Sequence, residues 1–179
     1  MDCPTEEQLL KLKELINSFN GLSYEKLKEF YPNYGITTID KLKEYILNRS
    51  NEQKKYLQIL LVLNSKEEPH GHFIVLDSYG GIFDPLGRAG LINMPNITPE
   101  VKEYIIFHSN SEIIQNINSE CCGLLCLLFV YLNIITLNKN RCFVIVKTFK
   151  KIIDNLRSDY PDKNIFNMIY ELIMTIKNY

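Results

Sequence analysis

Residues Gln115 to Asn138 read QNINSECCGLLCLLFVYLNIITLN, and from Cys121 to Asn138 no side chain carries a charge. A helix over this stretch is apolar around most of its circumference, so it belongs in the middle of a domain, covered on all sides. Its start is marked by Asn118 and Ser119, residue types whose short polar side chains cap helices. Capping there puts Cys122 in the first turn, where unpaired backbone N–H groups and the helix dipole favour an anion. A thiol so placed ionises more readily, and a neighbouring imidazolium adds to the effect. Gly123, directly after it, lets a substrate backbone come close.

Three other readings compete for this stretch. Cys is among the most buried residue types, and on an apolar helix it is usually inert core. A membrane span is the second, but 18 uncharged residues fall short of the roughly 20 a bilayer needs. Asn133 and the polar start also count against it. Zinc is the third, because Cys121, Cys122, Cys126 and Cys142 offer sulfur. No C-x-x-C pair with a distant partner pair supports it.

The 179 residues suffice for one domain with a real core and would crowd two, so a single domain over 1–179 is expected. It divides into a helical N-terminal part over 1–50, a core over 56–135 and C-terminal helices over 139–179. Apolar residues at 46% and charged residues at 23% argue against disorder. A net charge of −1 makes the chain as a whole no polyanion binder. The charge is uneven: residues 60–136 hold three basic and eight acidic side chains, residues 137–179 eight basic and four acidic. The tail residues Lys139, Arg141, Lys147, Lys150, Lys151 and Arg157 are a weak candidate for touching DNA, against the blander reading of a solvated helix face. The start, MDCPTEEQ, has no apolar stretch behind a basic one, so a non-secreted chain in a reducing compartment is expected. Five cysteines, an odd number, fit reduced thiols there.

Ahead of the central stretch, TEEQLLKLKELINSF over 5–19 spaces Leu9, Leu12, Leu15 and Ile16 along one helical face behind a Thr5 cap. Ser23 to Phe30 and Thr38 to Asn48 read as two further helices. Tyr56 to Leu63 and the run HFIVLD are two buried strands, and Gly81 to Asp84 a third. Between the last two, Ser78-Tyr79-Gly80 makes a three-residue hairpin loop with Gly80 at its left-handed position. That register pairs Asp77 with Gly81 and Ile74 with Asp84. His72 and Asp84 then share one face, a diagonal step of roughly 7 Å apart. Residues 98–107 begin as a helix, 111–115 read as a strand entering the central helix, and Cys142 to Leu156 and Ile165 to Lys177 as closing helices. The whole is an α+β fold, with a central apolar helix packed on a small, mainly antiparallel sheet between N- and C-terminal helices.

His72 at a strand start, Asp84 across a hairpin and Cys122 at a helix start make a papain-like arrangement. With Gly71-His72-Phe73, then Phe83-Asp84-Pro85-Leu86-Gly87, and Gln115 seven positions before Cys122-Gly123-Leu124 with Cys126 beyond, the chain resembles the adenovirus-type maturation proteases, the adenain family, including relatives in virophages and Polinton or Maverick elements. The resemblance covers roughly residues 60–135. It implies a cysteine endopeptidase that trims viral capsid or core precursors at small, Gly-containing sites, in the virion or inside the host cell. It makes Cys122 the nucleophile, His72 the base, Asp84 its orienting acid and Gln115 the side-chain donor to the oxyanion. No cofactor and no metal are implied. A neutral amide suits the last role, since it stabilises an oxyanion without quenching a thiolate.

Each partner has a rival: His70 and His108 for the base, Asp77 for the acid, although its odd offset puts it on the other hairpin face, and Cys121 for the nucleophile. Phe73 stands where the family usually has Trp, the acid is Asp where adenoviruses use Glu, and the hairpin is shorter. No cysteine lies between Asp84 and Glu120, so the disulfide by which adenoviral enzymes hold an activating peptide has no partner there. An alternative with the same His, Asp, Gln, Cys order is a protease that deconjugates ubiquitin-like proteins. Such enzymes usually have the Gln six positions before the Cys and an Asp just before the Cys, whereas here the Gln is seven positions before Cys122 and Cys121 precedes it. A second alternative is an inactive capsid-associated module.

Overall fold

The computed structural model describes residues 3–18, 21–30, 36–48, 58–62, 72–76, 81–87, 99–104, 107–108, 113–116, 118–138 and 162–178. Helix α1 (Glu6–Ser18) opens with a reciprocal cap: Gln8 N–H donates to Thr5 Oγ1, and Thr5 N–H donates to Gln8 Oε1. Two orphan donors of the first turn are thereby satisfied. The face that α1 buries is Leu9, Leu12 and Ile16, as the spacing predicts. In α2 (Tyr24–Phe30) Ser23 Oγ accepts from Lys26 N–H, and α3 (Ile39–Asn48) follows Thr38.

Strands β1 (Gln58–Val62), β2 (His72–Leu76) and β3 (Gly81–Phe83) form an antiparallel meander, and a short β4 (Phe107–His108) joins β3 in parallel. The sheet order is β1-β2-β3-β4. Val75 faces Phe83 and Leu76 faces Ile82, the register expected from a three-residue loop at 78–80; the loop itself, with Asp77 and Gly80, lies outside the described residues. Between β3 and β4 runs α4 (Pro99–Tyr104).

Helix α5 (Cys122–Asn138) is the centre of the molecule. Leu124, Leu125, Cys126, Leu127, Leu128, Leu132 and Ile135 have no exposed surface, so all sides of the helix are covered. It packs against β2 and against α6 (Asp162–Asn178), whose Ile165, Phe166, Ile169 and Ile173 are buried. On the sheet side Phe73, Val75 and Phe83 join the same hydrophobic cluster, and Phe83 stacks on Phe129 with ring centroids 4.3 Å apart. Two polar residues inside α5 satisfy themselves: Asn133 donates to Phe129 O and Thr136 to Leu132 O.

Among the described residues no helix is long and apolar enough to cross a membrane. The architecture is α+β. Two expectations change. Residues 113–116 are not a strand, because Ile114 N–H and Gln115 N–H both donate to one acceptor, Pro85 O, which a ladder does not allow. The last helix starts at Asp162 rather than Ile165. The helix expected over 142–156, with Cys142 and most of the basic tail, lies outside the described residues.

Burying a Leu side chain stabilises by about 2 kcal/mol, and deleting one also leaves a cavity. Leu132, which has no exposed surface, lies well down α5 from Cys122. Leu132→Ala is expected to lower the unfolding free energy by about 2–5 kcal/mol, measured as a fall in the urea midpoint at unchanged slope.

Candidate active site

Cys122 is the first residue of α5, and Leu125 N–H donates to Cys121 O. The cap position is therefore Cys121, not Asn118 or Ser119. Those two belong to a separate turn: Asn118 N–H donates to Asn116 Oδ1, and the Ser119 N–H and hydroxyl both donate to Asn116 O. Once Asn116 and Ser119 are spent on that turn, the helix begins later, and Cys122 still falls in its first turn.

Gly123 also has a packing role. A Cβ there would lie 3.1 Å from Leu22 Cβ and 3.3 Å from the Phe73 ring. Glycine thus lets the loop between α1 and α2 and the sheet close on the helix start. Gly21 does the same one step away, where an added Cβ would meet Glu120 O at 3.0 Å.

His72 and Asp84 meet as the hairpin register predicts: Nε2 lies 2.6 Å from Asp84 Oδ1. Asp84 is fully buried and is held by its own turn, since Leu86 N–H donates to Asp84 Oδ1 and Gly87 N–H to Asp84 O. Gly87 closes that turn at φ 68°, a left-handed angle that glycine adopts without strain. The Cys122 side chain lies beside the same imidazole, near enough to raise its pKa. With Nε2 held by Asp84, Nδ1 is the nitrogen left to exchange a proton with the sulfur. Burial of His72 disfavours its charged form, but the hydrogen bonds and negative charges of Asp84 and Cys122 outweigh it and push the pKa up to about 9. Its side chain keeps 17% exposure and Cys122 keeps 6%.

Gln115 is buried and donates one amide hydrogen of Nε2 to Ser119 O. The amide carries a second hydrogen. The rivals fare differently. Cys121 is buried, and burial together with the nearby Asp162 charge pushes its pKa up to about 11. Cys126, one turn below Cys122, is wholly buried and donates to Phe73 O, and burial pushes its pKa well up. Both are placed as core thiols. His70, Asp77 and the side chain of His108 lie outside what is described. Among the described residues no group of three or more His, Cys, Asp or Glu is placed to hold a metal ion.

Compared with protein-family models, curated proteins and solved structures, the chain matches none. The site therefore rests on its own geometry, which brings together three of the four residues singled out in the sequence, His72, Asp84 and Cys122, and sets Gln115 on the loop that leads to the Cys122 helix. Sequence reasoning missed Pro85, whose carbonyl pins the Gln115 backbone, and Asp162, which holds Asn116 N–H at 2.8 Å. Only the pairing of Pro with a preceding Asp, and an acid after Pro161 at a helix start, signalled them.

Because the folded pKa of His72 lies above its ordinary value of 6.5, the stabilisation is complete below pH 6.5 and disappears as pH rises to about 9, where the folded state loses the proton too. Its size is on the order of 3 kcal/mol. Urea midpoints of the wild type are expected to fall between pH 6 and 9.5 by more than those of His72→Gln, and NMR titration of Asp84→Asn is expected to show the imidazole titrating at lower pH than in the wild type.

Proposed function

We propose that this chain is a papain-like cysteine endopeptidase of the adenovirus maturation type, acting on capsid or core precursor polypeptides. The observation that carries the reading is one imidazole, His72, bonded to a buried carboxylate 2.6 Å away, with a thiol at a helix start beside it. An imidazolium in that position is placed to give its proton to a leaving amine.

The residues divide the reaction as follows. The Cys122 sulfur attacks the scissile carbonyl carbon, and the carbonyl oxygen takes up negative charge. The Cys122 backbone N–H and the second amide hydrogen of Gln115 donate to that oxygen. As the C–N bond breaks, His72 gives its proton to the leaving amine, and a thioester joins the acyl group to Cys122. Water, losing a proton to His72, then attacks the thioester. The peptide acid departs and the sulfur is restored. Asp84 holds the imidazole in orientation and balances its charge throughout.

Incubation with iodoacetamide followed by peptide mass mapping is expected to label Cys122 ahead of Cys121 and Cys126. A peptide with Gly-Gly before the scissile amide is expected to be cleaved by the wild type and not by Cys122→Ala. Gln115→Ala is expected to lower kcat by about 10²–10³-fold while leaving the alkylation rate of Cys122 unchanged. Equal, slow labelling of all thiols with no Cys122-dependent cleavage would sink the proposal in favour of an inactive module. Processing of a ubiquitin-like precursor but not of a capsid precursor would instead select the deconjugating enzyme.

A further inference from the structure

We infer that Asp162 is a positioning residue that aims the Gln115 amide at the oxyanion, acting through the backbone of Asn116; the inference rests on the protease reading. Asp162 opens α6, 46 residues from Asn116 in the chain, and its Oδ1 accepts the Asn116 N–H at 2.8 Å. It is 2% exposed, and an acidic side chain so buried is kept only where it has partners. The α6 start, with its N–H groups and dipole, favours negative charge there. Its other oxygen, Oδ2, is buried with no hydrogen-bond partner among the described residues. A shorter Ser or Thr would serve the helix start alone without burying that second oxygen. The extra reach of Asp is what spans the gap to Asn116.

The backbone of Gln115 is thereby held from two sides. Ile114 N–H and Gln115 N–H give their hydrogens to Pro85 O, on the turn that also carries Asp84. The next N–H, of Asn116, is held by α6, which packs along the same α5 that begins with Cys122. Asn116 then carries the turn whose Ser119 carbonyl orients the Gln115 amide. The oxyanion donor is thus tied to the acid through Pro85 and to the nucleophile's helix through Asp162. A donor of this kind works only if it is held at the place where charge develops.

The test is steady-state cleavage of a fluorogenic peptide with Gly-Gly before the scissile amide. Asp162→Ser keeps a polar side chain at the start of α6 but falls short of Asn116, and is expected to lower kcat on the order of 100-fold. KM is expected to stay within about twofold, and iodoacetamide labelling of Cys122 to be unchanged. Asp162→Asn retains the acceptor and is expected to stay within about threefold of wild-type kcat. In a Gln115→Ala background, Asp162→Ser is expected to cost nothing further, because the two act as one unit. The inference is overturned if Asp162→Ser leaves kcat unchanged, if its loss persists undiminished in Gln115→Ala, or if Cys122 labelling slows in step with kcat. Should Asp162→Ser not fold, Asp162→Thr, which also falls short of Asn116, is measured in its place with the same expected and overturning results. A wild-type chain that cleaves nothing overturns this inference together with the protease reading, whereas an active wild type with an indifferent Asp162→Ser overturns the inference only.

Discussion

A charged imidazole in a mostly buried place is the constraint around which this molecule is arranged. His72 keeps only 17% side-chain exposure, and its proton survives there because a fully buried carboxylate and a thiol flank it. Burial alone would strip the proton, since a cation loses its hydration on leaving water. Asp84 in turn tolerates complete burial because its own turn supplies a backbone donor, Leu86 N–H, beside the imidazole. The hairpin must hold its register for the pair to meet, because a slip of one residue would send Asp84 to the opposite face.

The elements around this pair are rigid for identifiable reasons. Helix α5 is locked by apolar contact on every side, so its first residue, Cys122, has a fixed position relative to β2. The two polar side chains deeper in the helix, Asn133 and Thr136, bond back to its own carbonyls and leave the packing uninterrupted. The glycines at 21 and 123 allow the loop between α1 and α2 and the sheet to press on the helix start. The N-terminal helices are therefore joined to the candidate site by contact as well as by sequence. The segment bearing Gln115 has no regular structure of its own and takes its shape from two borrowed acceptors, Pro85 O and Asp162 Oδ1, together with its own Asn116 Oδ1.

Local chemistry was legible where a single stretch of chain contains all that decides it. The reciprocal Thr5–Gln8 cap and the buried face of α1 follow from spacing alone. So does the β2–β3 register, because a three-residue loop and a two-residue strand period leave one alignment that puts His72 and Asp84 on the same face. The start of α5 was misplaced because Asn118 and Ser119 have the right chemistry for a cap but were already engaged in their own turn with Asn116. The packing role of Gly123 was not legible, because Leu22 lies far earlier in the chain and against it only in space.

By itself, the sequence determined the apolar helix, the order of candidate residues along the chain, and the pairing of base and acid, since each depends on side-chain periodicity or on separations of about a dozen residues. Only the tertiary structure decided that the Cys122 sulfur reaches the His72 imidazole, that Cys121 and Cys126 point into the core, and that Asp162 holds the loop of Gln115. These contacts join segments 46 or more residues apart, and their geometry is set by how helices and sheet pack, which no local pattern encodes.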